Sequence, residues 1–432
     1  MRKAYCITAA ELAERGRSGV PDELVSSAHL IYSSPATLAF NSPGARGFGV
    51  KRAGLAVPGS VMLLVSPGCC GRNTAALGGP GYGERFFYLL LDDTDIVTGR
   101  HLSKIPDAVR EVCASCAAPP SAVMLCITCV DALLGTDMER VCRKASERAG
   151  VPVVPCYMYA LTREGRLPPM AAVRAAVYSL LEPAGRRPDE VNLLGYFSPL
   201  VDGCELYPLL GQAGVRRIRE ISRCRTFGEY REMARANFNL VLNPEARYAA
   251  REMEKKLGIP SVELTRLYQL DKIRNQYRLL GEAVGAAFDD RRYYDAAAGA
   301  VEAFRRKYGG VAFAVGEVQN ADPFELSLAL IRYGFAVSEI YGTVGDANFA
   351  YLKKIARLSP RTKIYSNLSP TMLCYDESGS DAEAAVGADA VYYHPRLPGV
   401  GWNGERQPFG YAGVRALFGA LDRALGAAGR AK

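Results

Sequence analysis

The sequence predicts an α/β fold of three Rossmann-like domains with mostly parallel sheets, on three observations. Short apolar runs bounded by turn residues alternate with amphipathic helical stretches, the pattern of successive βαβ units. A glycine closes a helical stretch just before an apolar run at Ala149-Gly150-Val151, Ala213-Gly214-Val215, Leu257-Gly258-Ile259 and Tyr333-Gly334-Phe335. Such a left-handed stop feeding a strand marks a helix-to-strand junction. The length of 432 residues exceeds what one core serves, at roughly 100–200 residues per domain.

Taken in order, the expected strands are Val61–Val65, Ala122–Thr128, Val151–Pro155, Glu190–Gly195, Val311–Val315, Lys363–Tyr365 and Ala388–Tyr393. Between the fourth and fifth lies a long helical stretch, Pro244–Lys307. Composition breaks at Glu182–Pro188 and Tyr308–Gly310 divide the chain into 1–185, 186–308 and 309–432. The first domain is expected to carry the chemically interesting cysteines, the second the long helices, and the third a C-terminal helix.

Composition excludes several classes. At 49% apolar and 23% charged residues, the chain has the make-up of a globular protein. Its longest apolar stretch, Leu55–Val65, is interrupted by Pro58 and Gly59, short of the roughly 20 residues a membrane span needs. The basic N-terminus meets Glu11, Glu14 and Arg15 before any signal-peptide core forms, so cytoplasm is expected. A net charge of +8 is spread through helical segments without a basic run, and nucleic acid is not an expected partner. Twelve cysteines against three histidines point any metal site toward sulfur, since a disulfide framework belongs to small secreted domains.

Ligands of open parallel sheets gather at the carboxyl ends of strands. Two cysteine loops lie there: Ser66-Pro67-Gly68-Cys69-Cys70-Gly71 after the first strand, and Cys129 at the end of the second. The pairs Cys113/Cys116 and Cys126/Cys129 have zinc-like spacing. The first pair precedes the strand that Cys129 follows, which separates them by roughly 20 Å at about 3.3 Å per residue. Cys113, Cys116, Cys126, Cys142 and Cys156 are accordingly expected to be buried as small hydrophobes. The glycine-rich Gly78–Gly83 lacks a Gly-Lys-Ser/Thr and precedes an aromatic run, so this chain is not expected to bind a nucleotide.

These loops carry a resemblance. The segments Ser66–Cys70, Leu91–Arg100, Ile127–Asp137 and Gly150–Pro155 together resemble, in that order, component 1 of the nitrogenase family. Asn239–Glu254 with Gly258-Ile259-Pro260 resembles its second domain, and Pro408–Gly413 its C-terminal signature. The resemblance implies a nitrogenase component 1-like fold and iron–sulfur ligation by Cys129 with Cys69; Cys70 is the second choice if the loop is one residue longer. The family's earlier cysteine, before the pair matched by Gly44-Ala45, is replaced by Phe40. Two thiolates from each of two subunits would then supply the four that a shared [4Fe–4S] cluster takes. The position of the family's iron–molybdenum cofactor cysteine holds Leu242, which disfavours dinitrogen as substrate.

Asp95 is a further candidate beside the cluster loops, as a ligand oxygen or as a helix cap. In the third domain, the loop from His394 to Gln407 holds the only tryptophan, Trp402. There His394 is a candidate proton donor and Arg396 a candidate for gripping a substrate carboxylate. His29 and His101 are expected at surface or structural positions. The resemblance implies a reductase subunit taking electrons from an ATP-dependent iron-protein-like partner, pairing with a second component 1 type subunit, identical or paralogous, and reducing a small molecule. The competing expectations are a non-catalytic scaffold for metallocofactor assembly and a cluster-free small-molecule-binding protein.

Overall fold

A computed structural model describes residues 3–25, 32, 34, 49–68, 83–157 and 167–430. Fourteen strands are described, from β1 (Ile7–Thr8) to β14 (Gly399–Val400). The first sheet comprises β2 (Val61–Ser66), β3 (Phe86–Leu90), β4 (Val123–Ile127) and β5 (Val153–Tyr157), in the order β3-β2-β4-β5, all parallel. Its two central strands are buried at every residue, as a sheet covered on both faces requires. Alternation sorts their side chains: Met62, Leu64, Met124 and Cys126 enter one core with helices Pro169–Ser179 and Arg247–Leu257. Val61, Leu63, Val65, Val123, Leu125 and Ile127 enter the other, with helices His101–Ser115 and Met138–Ala149.

The second sheet has β6 (Arg187–Leu194), β7 (Arg217–Glu220), β8 (Ala236–Val241) and β9 (Ser261–Glu263) in the order β7-β6-β8-β9, again parallel. The third adds β10 (Ala312–Val315), β11 (Ala336–Tyr341), β12 (Lys363–Tyr365) and β13 (Ala384–Val386) to β1 and β14, in the order β1-β12-β11-β10-β13-β14. Only its edge strand β1 is antiparallel. The α/β fold with mostly parallel sheets is thus present, and Gly150, Gly214, Gly258 and Gly334 all sit at positive φ.

Contacts gather the chain into two compact units. One holds residues 41–199 and 214–265 with the first two sheets; the other holds 1–40, 200–213 and 266–432 with the third. The helices Leu270–Val284 and Arg291–Tyr308 belong to the latter unit. In it a carboxylate stitches distant segments: Glu205 accepts from Tyr277 Oη (2.6 Å) and from the amides of Tyr411 (2.6 Å) and Ala412 (3.0 Å). These amides open the C-terminal helix Gly410–Arg430, whose first turn has unpaired N–H groups to offer.

One expected strand is corrected. Ala388–Tyr393 is a helix, and the strand is the preceding β13. Gly387, at φ 106°, ends the extended run. The buried Asp389 carboxylate then accepts from the amides of Glu317 (2.9 Å) and Val318 (3.1 Å), anchoring the turn into the helix. Of the cysteines expected in cores, Cys126, Cys142 and Cys156 are buried, whereas Cys113 and Cys116 are half-buried at the margin. Cys126 and Cys116 pack on opposite faces of the first sheet, which separates the two zinc-like pairs. No described helix is long and apolar enough to cross a membrane.

Candidate functional site

The site is built at the carboxyl edge of the first sheet, where β2, β3 and β4 each end in a loop. β4 gives way at Thr128 to the helix Cys129–Leu134, so Cys129 occupies its first position with a partly exposed thiol. β2 ends at Ser66, and the chain is described as far as Gly68. Cys69 and Cys70 lie outside the described residues, as do His29, Phe40, Gly44-Ala45 and most of Gly78–Gly83. The Ser66 and Thr128 hydroxyls at this edge are buried, and neither has a hydrogen-bond partner among the described residues. Orphaned buried hydroxyls are costly.

After β3, the acidic run becomes the helix Asp93–Thr98, held by a reciprocal capping box. The Asp95 amide donates to Asp92 Oδ1 (2.7 Å) and the Asp92 amide to Asp95 Oδ2 (3.3 Å). Asp95 also accepts from Lys104 Nζ (2.7 Å) and Arg100 Nε (2.8 Å). These bonds, Lys104's first, hold its carboxyl well below the usual range. Of the two roles open to Asp95, capping is the one its contacts display.

His101, expected at a surface or structural position, takes a structural one. It is buried, with Nδ1 3.0 Å from the Asp95 carbonyl oxygen and Nε2 3.1 Å from Asp131 Oδ1. A carbonyl only accepts, so Nδ1 carries a proton. Nε2 and Asp131 then share one further proton, as imidazolium with carboxylate or as imidazole with carboxylic acid. Burial raises the Asp131 pKa, opposed by the charge and hydrogen bond of His101 and by Thr136. The imidazole thus ties the helix after β3 to the helix that begins with Cys129. No spacing rule exposes a pair 30 residues apart; the only signal was that both partners follow strand ends.

The remaining candidates lie in the other unit. His394 follows the helix Ala388–Tyr393 rather than a strand, and is buried. Its Nε2 lies 2.9 Å from Tyr341 Oη, 3.0 Å from Tyr375 Oη and 3.2 Å from Glu339 Oε2. Burial pushes Glu339 up, but bonds from His394, Tyr341 and Tyr375 outweigh it and hold the carboxyl below its ordinary value. Arg396 is 87% exposed and pairs with Glu377 at 3.2 Å, so the structure does not bring it to His394's partners. Trp402 Nε1 donates to Tyr268 Oη (2.6 Å). Leu242 is buried, its amide donating to the Leu194 carbonyl (2.8 Å).

Residues 46–387 match the family model described as nitrogenase component 1 type oxidoreductase. The chain belongs to that family. Among curated relatives, the nitrogenase iron-molybdenum cofactor biosynthesis protein NifE of Nostoc sp. is 28% identical over 225 residues, covering 50% of this chain and 46% of the relative. NifE of Mesorhizobium japonicum is 31% identical over 210 residues, covering 46% and 42%. The match thus spans less than half the length of these relatives. The structure of nitrogenase Cp1 at pH 6.5 has the same component 1 fold, with a TM-score of 0.67 and 13% identity, covering 91% of this chain and 92% of that one.

Proposed function

We propose that this chain is a scaffold subunit for metallocofactor assembly, holding an iron–sulfur cluster at the carboxyl edge of its first sheet. The observation that carries the proposal is the likeness to NifE, a protein named for iron-molybdenum cofactor biosynthesis. The geometry supports it: a partly exposed thiol at Cys129, two unsatisfied hydroxyls beside it, and a His101–Asp131 brace fixing the Cys129 helix. Cys129, with Cys69 or Cys70, would supply two thiolates, and a second subunit, identical or paralogous, would supply two more for a shared [4Fe–4S] cluster. The bound cluster supplies one-electron redox chemistry. This chain's part is to hold thiolates in place, donate hydrogen bonds from Ser66 and Thr128, and keep the brace rigid.

The oxidoreductase description of the family favours a second reading, in which electrons from an ATP-dependent iron-protein-like partner reach a small-molecule substrate. One experiment separates them. The chain and its partner subunit, purified anaerobically and loaded with iron and sulfide, are given an iron-protein reductase, ATP, acetylene and a cluster-deficient nitrogenase component 1. The scaffold reading predicts that iron moves to the acceptor while the loaded chain alone reduces no acetylene. Sustained acetylene reduction without the acceptor would overturn it.

A further inference from the structure

In the unit of the third sheet, four side chains bring their polar atoms to one point. Glu339 and Tyr341 are two residues apart on β11 and so leave the same face of the strand. Tyr375 reaches them from between the turns Pro370–Cys374 and Glu377–Gly379, and His394 from the end of the helix Ala388–Tyr393. Tyr341 Oη lies 2.7 Å from Glu339 Oε2, 2.8 Å from Tyr375 Oη and 2.9 Å from His394 Nε2. Tyr375 Oη lies 2.8 Å from Glu339 Oε2 and 3.0 Å from His394 Nε2, which is itself 3.2 Å from Glu339 Oε2. All six pairs are thus in contact at nearly equal separations, and the four atoms form the corners of a tetrahedron.

Hydrogen bonds alone do not account for that figure. Whatever their protonation, two phenol oxygens, one imidazole nitrogen and one carboxyl oxygen carry at most one hydrogen each, so some of the six contacts have none between them. A cation at the centre would face all four lone pairs at once. Tetrahedral donors about 2.0 Å from a metal stand about 3.3 Å apart, so each atom here needs to move outward by only about 0.2 Å. The donor set selects the ion, since three oxygens and an imidazole nitrogen without thiolate suit a hard cation. Two phenolates, one carboxylate and a neutral imidazole carry three negative charges. Ferric iron cancels them, whereas a divalent ion leaves a net charge in a buried site, which is costly. Among the described residues no three of His, Cys, Asp and Glu gather as a metal site; here two phenols complete the set. Tyr365 and Tyr393 stack on Tyr341 with ring centroids 5.5 and 5.0 Å away, shielding the point from water. Tyr375 is only half-buried, and the ion would enter past it.

We propose that Glu339, Tyr341, Tyr375 and His394 bind a ferric ion. Binding releases the phenol protons to solvent and changes no oxidation state. The site is independent of the cluster reading, since it uses no cysteine and belongs to the other compact unit. The full chain, stripped with a chelator in air, is titrated with ferric nitrilotriacetate and followed by visible absorption and resonance Raman spectroscopy. The expected result is a coloured complex with a single iron per chain, a phenolate-to-iron charge-transfer band and tyrosinate vibrations; excess zinc should not displace the ion. Tyr375→Phe and Tyr341→Phe should each shift the band and weaken ferric binding about tenfold or more. Tyr365→Phe, which removes a neighbouring phenol that is not a donor, should leave both unchanged, with circular dichroism checking that every variant folds. Cys129→Ala should also leave the band intact, so the failure of one proposal is distinguishable from failure of the other. No charge-transfer band in wild type, a band unchanged in both Tyr375→Phe and Tyr341→Phe, or displacement by zinc would overturn the assignment.

Discussion

Glu325 should make the unit containing the third sheet less stable as pH rises through neutrality. Its carboxyl sits in the first turn of the helix Pro323–Arg332 and is 1% exposed. Burial disfavours its charge and pushes the pKa from 4.5 up to about 7, against opposing bonds from Gln269 and the Tyr268 amide. Below 4.5 the folded and unfolded chains both hold this proton. Between 4.5 and 7 only the folded chain does, so stability falls with pH across that window and levels off above it. At roughly 1.4 kcal/mol per pH unit the total is on the order of 3 kcal/mol. Trp402 supplies the assay, because it is the only tryptophan and donates to Tyr268 Oη, whose residue's amide donates to Glu325 at 2.9 Å. Urea unfolding read by its fluorescence, at several pH values from 5 to 8, should show the decline in wild type and not in Glu325→Gln. The Gln variant carries its own cost, since an amide nitrogen then meets N–H donors, so the pH slope and not the absolute stability is the quantity compared. Equal slopes in the two proteins would refute the reasoning, showing that the donors around Glu325 outweigh its burial and keep it ionised.

Three other outcomes follow from single side chains. Arg174→Met should cost about 3 kcal/mol in chemical denaturation, because the buried guanidinium donates to the Gly195 carbonyl twice (2.9 and 2.7 Å) and to the Met170 carbonyl (2.8 Å), and pairs with Glu245 (2.8 Å); a loss under about 1 kcal/mol would contradict those bonds. Gly316→Ala should cost about 2–4 kcal/mol, since a Cβ there would run into the Asp389 carboxylate and drive it from the amides it caps; an unchanged melting temperature would mean the loop yields. Asp95, whose folded pKa lies below the 3.8 of the free group, stabilises above that pH and loses its contribution as pH falls below it. Asp95→Asn should therefore lower the melting temperature at pH 7 and narrow its gap to wild type in acid; a constant gap would count against the ion pairs.

How far the sequence revealed this arrangement depended on how local each signal was. β2 and β4 were readable because burial on both faces leaves unbroken apolar runs, and the glycine stops because positive φ selects that residue. The placement of Cys129 followed from its position just past such a run. Ala388–Tyr393 was misread because a short apolar run suits a strand or a buried helix equally; what decided it was Asp389 reaching the amides of Glu317 and Val318, about 70 residues back in the chain. The same non-locality concealed the His101–Asp131 brace and the enclosure of His394 by Tyr341, Tyr375 and Glu339. Side chains that meet only through the fold leave no periodicity to find.

The most direct test of the central claim is iron and sulfide content after anaerobic purification with the partner subunit, in wild type, Cys129→Ala and Cys142→Ala. Cys142 is buried in a helix face of the same unit, so it controls for loss of a thiol as such. Wild type and Cys142→Ala should hold about four irons and four sulfides per pair of subunits, and Cys129→Ala should lose them with folding preserved. Full iron retained by Cys129→Ala, or a wild-type complex that never holds iron, would contradict it.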